Sequence, residues 1–384
     1  MGRSDMEILV IGAGLSGAVV AHELAARGHA VEVWERRPQV GGNLYDERDA
    51  YGVLVHRYGP HTFHTNKKEL YDYLCRFAAW EPYYLTCGAE IDGQVVPTPF
   101  NFKTMDAFYA PEEAAALKEA VRSVFAGWDT ATVTEVMQAA DARVRQYGAF
   151  LFAKDYSLYT AKQWGIPASE VDPSILRRVP LRFSYEERYF DDAYQVLPRH
   201  RYMDLFDGLL RHENIRVRLG VEALHHLRVS EDGTYLLIDG ERTDATVIYT
   251  GALDELFALD EGALPYRSLR FEWRHEEIAS KQPYPIVAYP AAEGFTRITE
   301  YTKMPVQQGH GTTYAIEYPL RYEYGKGMEP YYPLLTEESQ RQAARYKEKA
   351  ARVRNLFCCG RLADFKYYNM DQALERALTL AREI

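Results

Sequence analysis

The chain has 384 residues, of which 47% are hydrophobic and 26% are charged, and its formal net charge is −10. This length exceeds the usual size of a single hydrophobic core, so we expect more than one domain. The negative charge disfavours nucleic acid and anionic membranes as partners, although a few local arginines could still bind an anionic ligand.

Several kinds of segment and site are not expected from this sequence. No apolar run approaches the roughly 18 residues of a transmembrane helix, and the first strand begins so early that we expect no signal peptide. The four cysteines are sparse and form no C-x-x-C pair, which argues against structural disulfides and a zinc site. We therefore predict a cytoplasmic protein without a bound metal.

A nucleotide-binding motif opens the chain. The apolar run 8–11 leads into a G-x-G-x-x-G turn made by Gly12, Gly14 and Gly17, and a second apolar strand ends at Glu35. This order is typical of a dinucleotide-binding βαβ unit, in which the turn and the helix N-terminus hold a pyrophosphate and the acid accepts from a ribose hydroxyl. The alternative is a glycine-rich turn in an unrelated α/β protein.

The residues that follow this motif indicate which dinucleotide is bound. A basic residue, Arg36, and a pair of glycines, Gly41 and Gly42, follow the acid, as in the FAD-binding start of the amine-oxidase-like flavoproteins, which this segment resembles. The alternative is a simple Gly-Gly turn. The predicted FAD contacts from this part of the chain are Gly12, Gly14, Leu15, Ser16, Gly17, Glu35, Arg36, Gly42 and Asn43.

The middle of the chain changes from strands to helices. Segment 81–102 carries a hairpin signal at Asp92–Gly93. Helical periodicity follows over about 105–163, where Pro111 opens one helix. The proline-rich residues 165–182 are expected to form a long loop, and such loops are often functional.

The rest of the chain returns to strands and then to the nucleotide-binding unit. Strands are expected at 215–219, 235–238 and 245–249, and residues 263–333 are also rich in strands and in aromatic residues. Near the end of the sequence an apolar run ends at Gly360, and apolar residues at helical spacing begin at Met370. The nucleotide-binding domain is therefore expected to be built from three separated segments.

Four further motifs occur in order along the chain. They read GPHTFHT at 59–65, YTAKQW at 159–164, PYYP at 330–333 and GRLADFKYYNMD at 360–371. Together with the FAD-binding start, they make the chain resemble the bacterial UDP-galactopyranose mutases over essentially its whole length.

This resemblance implies a redox-neutral isomerase with FAD that is active when reduced. Such enzymes interconvert UDP-galactopyranose and UDP-galactofuranose; flavin N5 attacks the anomeric carbon, and UDP leaves transiently and returns. The reaction needs neither a metal nor a protein nucleophile. The implied partners are the two UDP-sugars and NAD(P)H or another reductant, and a homo-oligomer is left open.

The resemblance also implies a substrate site. Tyr159 and Trp164 would bracket the uracil, while Arg178 in the proline-rich loop and Arg297 in a strand-like segment would hold the diphosphate. Each residue taken alone is more often a packed or solvated side chain. The remaining implied substrate contacts are Tyr189, Tyr332, Tyr367 and Asn369, of which Asn369 also fits a capping box with Gln372.

The implied flavin contacts come from the early and the late motifs. His61 and His64 would lie near the isoalloxazine and Arg361 near the flavin or its pyrophosphate, with Gly360 and Met370 beside it. The last helix would direct its positive end toward the negative edge of the reduced flavin. Arg178, Arg297, His61 and His64 are thus the expected supporting residues in catalysis, and Cys87 receives no role.

The expected fold is α/β, with a Rossmann-like FAD-binding domain, a small helical domain and an antiparallel β-sheet domain. The FAD-binding domain is predicted to comprise 1–80, 199–262 and 338–384. The helical domain is predicted at 103–182, with a mobile substrate loop at about 165–182. The sheet domain is predicted to comprise 81–102, 183–198 and 263–337.

Two other functions remain open at this point. An amine-oxidase-like FAD oxidoreductase would share the nucleotide-binding domain but would carry a hydrophobic substrate tunnel without paired diphosphate arginines. A flavin-binding protein without catalysis, acting as a sensor or scaffold, would have no need of a diphosphate site.

Overall fold

The computed structural model describes residues 7–165, 167 and 179–384, apart from the side chains of residues 163 and 164. The predicted residue Arg178 and most of the predicted loop 165–182 therefore lie outside the described residues. None of the described helices combines the length and the apolar character needed to cross a membrane.

A five-stranded parallel sheet forms the nucleotide-binding core. Its strands, in spatial order, are Ile215–Leu219, Val31–Glu35, Ile8–Ile11, Thr246–Tyr249 and Leu356–Cys358. They come from distant parts of the sequence, and the first strand pairs with strands on both sides. The predicted Rossmann-like α/β fold is confirmed.

Both faces of this sheet are covered, which explains why its central strands are nearly continuous apolar runs. Because side chains alternate across a strand, Ile8 and Val10 pack on one face while Leu9 and Ile11 pack on the other. The helices on the first face are Leu15–Ala25, Lys68–Cys75, Tyr202–Leu210 and Met370–Glu383. Those on the second face are Leu253–Leu256 and Glu337–Ala350.

A seven-stranded sheet forms the second layer of the molecule. Its strands, in spatial order, are Tyr332–Pro333, Tyr266–Glu276, Thr312–Arg321, Arg297–Glu300, Ile286–Ala288, Cys87–Ile91 and Gln94–Thr98. It is antiparallel except where Ile286–Ala288 runs parallel to Cys87–Ile91, an exception that the predicted antiparallel sheet did not include. The hairpin expected at Asp92–Gly93 is confirmed, since both residues have the positive φ of a two-residue turn.

A helical unit packs against one end of this sheet around its own core. Its helices are Phe102–Phe108, Pro111–Val124, Val133–Met137, Ala142–Leu151 and Ser157–Trp164, and Pro111 begins its helix as predicted. The last two helices are joined by a π-helical turn, Phe152–Tyr156. Such turns often occur at functional sites.

The remaining elements are short. Small sheets are formed by Phe63–Thr65, Tyr194–Pro198 and Trp80–Pro82; by Leu227–Val229, Leu236–Ile238 and Glu241–Arg242; by Thr130–Ala131 and Leu181–Arg182; and by Asp46–Arg48 and Leu54–His56. Single 3₁₀ turns occur at Gly42–Leu44 and Ala223–His225.

Candidate active site

Two cavities lie next to each other, and the first contains the glycine turn. At Gly17 an added Cβ would lie 2.0 Å from the carbonyl oxygen of Gly12, so only glycine lets the helix pack this closely on the turn. At Gly42 an added Cβ would lie 2.8 Å from Cα of Gly14. The Gly41–Gly42 pair therefore packs directly against the turn of Gly12, Gly14 and Gly17, and together they leave a concave surface of bare backbone.

The N-terminus of helix Leu15–Ala25 faces this cavity without a side-chain cap, and no acidic residue lies in its first turn. Free amides and the positive end of the helix dipole suit a pyrophosphate. Glu35 is 6% exposed, and its carboxylate accepts from the backbone amides of Ala13 and Arg37 at 2.8 and 2.9 Å. Those two amides hold the acid at the cavity wall.

Arginines and their partners line the outer part of the first cavity. Arg36 forms an ion pair with Glu329, and Arg37 donates to Asn43 and to Glu329 at 3.0 and 2.9 Å. Nη1 of Arg37 is buried without a hydrogen-bond partner among the described residues, so the cavity wall holds an unused donor. A ligand with several hydrogen-bond acceptors fits this set of groups.

Four residues line both cavities and mark where they meet: His61, Arg361, Asn369 and Met370. Burial lowers the pKa of His61 to about 3, which keeps the imidazole neutral at physiological pH. Its Nδ1 lies 2.8 Å from the carbonyl oxygen of Gly59. A carbonyl can only accept, so we assign the proton to Nδ1, which leaves Nε2 as an acceptor.

Arg361 is held in place at this junction by the late motifs. Its Nη1 donates to the carbonyl of Tyr331 at 3.0 Å, and its guanidinium lies 4.8 Å from the ring centroid of Tyr332. The Tyr332 and Tyr367 rings are stacked with centroids 5.4 Å apart. A cationic and aromatic wall thus connects the two cavities.

The second cavity contains Arg297, whose Nε donates to Glu317 at 2.9 Å. Burial acts to lower the pKa of Arg297, but the Glu317 carboxylate outweighs it and the pKa is raised. No hydrogen bond joins the two terminal nitrogens to another described residue. Glu317 therefore orients the guanidinium and leaves its fork available to an anion in the cavity.

Most of the other residues predicted to bind substrate line this cavity as well. Tyr159, Tyr189, Tyr332, Tyr367 and Asn369 all do so. Gln372 accepts from the backbone amide of Asn369 at 2.9 Å, which forms half of the predicted capping box. Trp164 ends its helix, but its side chain, like all of Arg178, lies outside the described part of the chain.

His64 occupies a different position from His61. It lines only the second cavity, its Nδ1 lies 2.9 Å from Asp192, and its ring stacks on Phe190. Every other predicted flavin contact lines the first cavity. Those residues are Gly12, Gly14, Leu15, Ser16, Gly17, Glu35, Arg36, Gly42, Asn43, His61, Gly360, Arg361 and Met370.

Some residues in the site were not predicted from sequence. Asp155 and Thr160 line the second cavity beside Tyr159, and Glu317 holds Arg297. Glu317 could have been noticed from the sequence, because it is the one acidic residue in the otherwise largely apolar strand Thr312–Arg321. Cys87 lies in the same cavity, where burial raises the pKa of its thiol to about 12 and keeps it protonated.

No cluster of three or more histidine, cysteine, aspartate or glutamate side chains able to hold a metal ion occurs among the described residues. The chemistry available from the described side chains is anion binding, aromatic stacking and hydrogen bonding.

Comparisons with known proteins agree with the motifs. A family model described as UDP-galactopyranose mutase matches residues 154–367, and a model described as an NAD(P)-binding Rossmann-like domain matches residues 10–77. The chain is 34% identical to the UDP-galactopyranose mutase of Mycoplasma pneumoniae, over 99% of this chain and 96% of that one.

Two further matches bear on specificity and on fold. The chain is 31% identical to the dTDP-fucopyranose mutase of Escherichia coli, over 98% of this chain and 97% of that one. The crystal structure of a reduced UDP-galactopyranose mutase has a TM-score of 0.67 at 14% identity, over 98% of this chain and 95% of that one. At that identity the structural match supports the fold.

Proposed function

The chain belongs to the UDP-galactopyranose mutase family, and we propose that it interconverts UDP-galactopyranose and UDP-galactofuranose with bound FAD. The observation that carries this proposal is the junction of the two cavities. A cradle for a dinucleotide opens, at His61, Arg361, Asn369 and Met370, into a cavity lined by arginine and tyrosine. A flavin held in the first cavity would meet a nucleotide-sugar held in the second.

FAD fits the groups that line the first cavity. The amides of the glycine turn and the N-terminus of helix Leu15–Ala25 would bind the pyrophosphate, and Glu35 would bind a ribose hydroxyl. Arg361 and the N-terminus of helix Met370–Glu383 would lie at the flavin, where positive potential favours its reduced, anionic form. When bound and reduced, the flavin would supply a nucleophile for the anomeric carbon, and the residues named above would hold it there.

The side chains of the second cavity would bind and orient the substrate. The guanidinium of Arg297 would hold the diphosphate and stabilise it as it leaves, with Tyr332 and Tyr367 as hydroxyl donors. Tyr159 offers an aromatic face to the base. We also assign Trp164 to base stacking and Arg178 to the diphosphate, on the basis of the motif alone.

Product analysis tests this function directly. The purified, FAD-loaded protein is incubated with UDP-galactofuranose, with and without dithionite, and the nucleotide-sugars are separated chromatographically. We expect UDP-galactopyranose to form only with reduced protein, with many turnovers for each reducing equivalent. No conversion in either sample would contradict the proposal.

The same assay separates the mutase from an amine-oxidase-like oxidoreductase. An oxidoreductase would consume one equivalent of reductant or oxidant in each turnover, whereas the mutase needs the reductant only to keep its flavin reduced. NAD(P)H can be compared with dithionite as the source of electrons. Stoichiometric oxidation of NAD(P)H in the presence of substrate would favour the oxidoreductase.

A further inference from the structure

A carboxyl group for which the mutase reaction supplies no role lies in the second cavity. Asp155 belongs to the π-helical turn Phe152–Tyr156, is half-buried and lines the cavity. It forms neither a hydrogen bond nor an ion pair with any described residue. Among the described residues that line this cavity it is the sole acid, alongside Arg297 and Arg361.

The electrostatic neighbours of Asp155 connect it through Tyr159 to Arg297, and Arg297 to the junction of the two cavities. Asp155 interacts electrostatically with Tyr159, and Tyr159 with Arg297. Arg297 in turn interacts with His61, which lies at the junction with the first cavity. A nucleotide-sugar with its sugar at the junction and its diphosphate at Arg297 would therefore place its base beside Tyr159 and Asp155.

An unpaired carboxyl group is unfavourable in a cavity that binds a diphosphate, unless it meets a hydrogen-bond donor. Tyr156 and Tyr159, which interact electrostatically with Asp155, offer aromatic rings, and Ile286 and Ala288 add apolar side chains to the same cavity. These groups favour a flat ring but do not recognise its polar edge. Since no described residue donates to Asp155, we expect the donor to come from the ligand.

We propose that Asp155 recognises the imide edge of a uracil or thymine base. One carboxyl oxygen accepts from the base N3–H, and the protonated oxygen of the neutral acid donates to an adjacent base carbonyl. This inference rests on the proposed function, because it needs a nucleoside diphosphate in the cavity. It makes Asp155 a specificity residue for pyrimidine-diones, the base class shared by UDP- and dTDP-sugars.

The surroundings of Asp155 agree with a neutral acid. Burial raises the pKa of Asp155 to about 7. Its titratable neighbours stay neutral near that pH, because burial also raises the pKa values of Tyr156 and Tyr159 and that of Cys87, which lies on a strand packed against this turn. A neutral carboxyl group offers one donor and one acceptor, which matches the imide edge.

Calorimetric titration of the FAD-loaded protein at pH 6 tests the proposal with UDP and with 3-methyluridine diphosphate, in which the N3–H is replaced by a methyl group. Wild type should bind UDP about 10- to 100-fold more tightly than the methylated analogue, the range expected for hydrogen bonds that involve a buried polar partner. Asp155→Asn keeps one donor and one acceptor and should preserve most of this ratio. Asp155→Leu should bind both ligands with equal affinity.

Lys154→Ala is the matched control, because Lys154 lies on the same turn but is exposed and pairs with Asp92; it should retain the wild-type ratio. Equal affinity of wild type for the two ligands would overturn the proposal, and this comparison needs no variant. If wild type binds the two ligands equally and Asp155→Leu lowers the affinity for both by the same factor, Asp155 would instead pair with a charged residue such as Arg178. If wild type binds neither ligand, the proposed function itself fails.

Discussion

The two cavities are built in different ways. The first has a wall of bare backbone at its glycine turns, where close approaches require glycine, and two amides hold the Glu35 carboxylate beside it. The second is made of long side chains from the seven-stranded sheet, the helical unit and the late motifs. A wall of backbone tolerates few substitutions at its close approaches, whereas a wall of side chains can vary residue by residue within one fold.

The largest effect of a single substitution is expected at the glycine turn of the first cavity, where a side chain would collide with backbone. Gly17→Val would place side-chain atoms against the carbonyl of Gly12, where a Cβ would already lie at 2.0 Å. We expect this variant to lose flavin absorbance and much of its folded structure, measured by visible spectroscopy and circular dichroism. Gly309→Ala is the control, since nothing lies within 4 Å of an added Cβ there. A yellow, stable Gly17→Val protein would refute this description of the turn.

The next largest effect is expected in the second cavity at Arg297. Arg297→Ala removes the guanidinium that we propose binds the diphosphate and should lower kcat/KM about 10²- to 10³-fold, as does the loss of a donor to a developing anion. Arg297→Lys should recover only part of this, because an ammonium cannot reproduce the planar fork. Flavin absorbance should be retained in both variants, which separates the two cavities experimentally. Near-normal turnover of Arg297→Ala would contradict its assigned role.

A smaller effect is expected from the aromatic wall. Tyr159→Ala should weaken UDP binding roughly 10- to 100-fold, the range for the loss of stacking on one base. Tyr159→Phe keeps the ring and should change the affinity little, so the pair separates stacking from hydrogen bonding. Equilibrium titration of both variants with UDP measures this. If Tyr159→Ala binds UDP as wild type does, Tyr159 is only a packing residue.

The smallest expected effect is a pH-dependent change in the free energy of unfolding, caused by His56, which contacts His61 at the junction of the cavities. His56 accepts from the backbone amide of His61 at 3.1 Å, and burial lowers the pKa of His56 to about 4. Below its unfolded pKa of about 6.5, the unfolded chain takes up a proton that the folded protein excludes, so stability falls as the pH falls toward 4. Between pH 7 and pH 5 this histidine should cost about 2 kcal/mol of unfolding free energy.

Urea unfolding of wild type and His56→Asn at the two pH values measures this contribution. Other buried groups titrate in both proteins, so the informative quantity is the difference between their losses of stability. The variant should lose less stability than wild type on acidification. Equal losses would show that His56 is not held neutral by the fold.

The glycine-turn part of the first cavity could be predicted from sequence, because its residues follow one another at short fixed spacings. The lining residues at 221–224 and 249–252 come from distant segments and were not among the predicted contacts. Glu35 and the two glycine turns were predicted from about thirty consecutive residues, and the resemblance to the mutase family was confirmed. The second cavity could be predicted only through that resemblance. Neither spacing nor composition indicates that Arg297, on one strand, meets Glu317, on the next.

Asp155 shows most clearly why the rest could not be predicted. Its place in the cavity depends on a π-helical turn, which changes the side-chain period at that point. A regular helical reading gives no reason to select this acid from the others nearby. His64 shows the opposite case, because its motif placed it with His61 at the flavin while its strand turns it toward Asp192.

A crystal structure of the reduced protein with FAD and UDP tests the central claim most directly, namely that the two cavities meet as a cofactor site and a substrate site. We predict that the isoalloxazine lies at the junction beside His61 and Arg361, that the diphosphate contacts Arg297, and that the uracil lies beside Tyr159. UDP bound outside the second cavity, or an isoalloxazine ring away from the junction, would contradict the account.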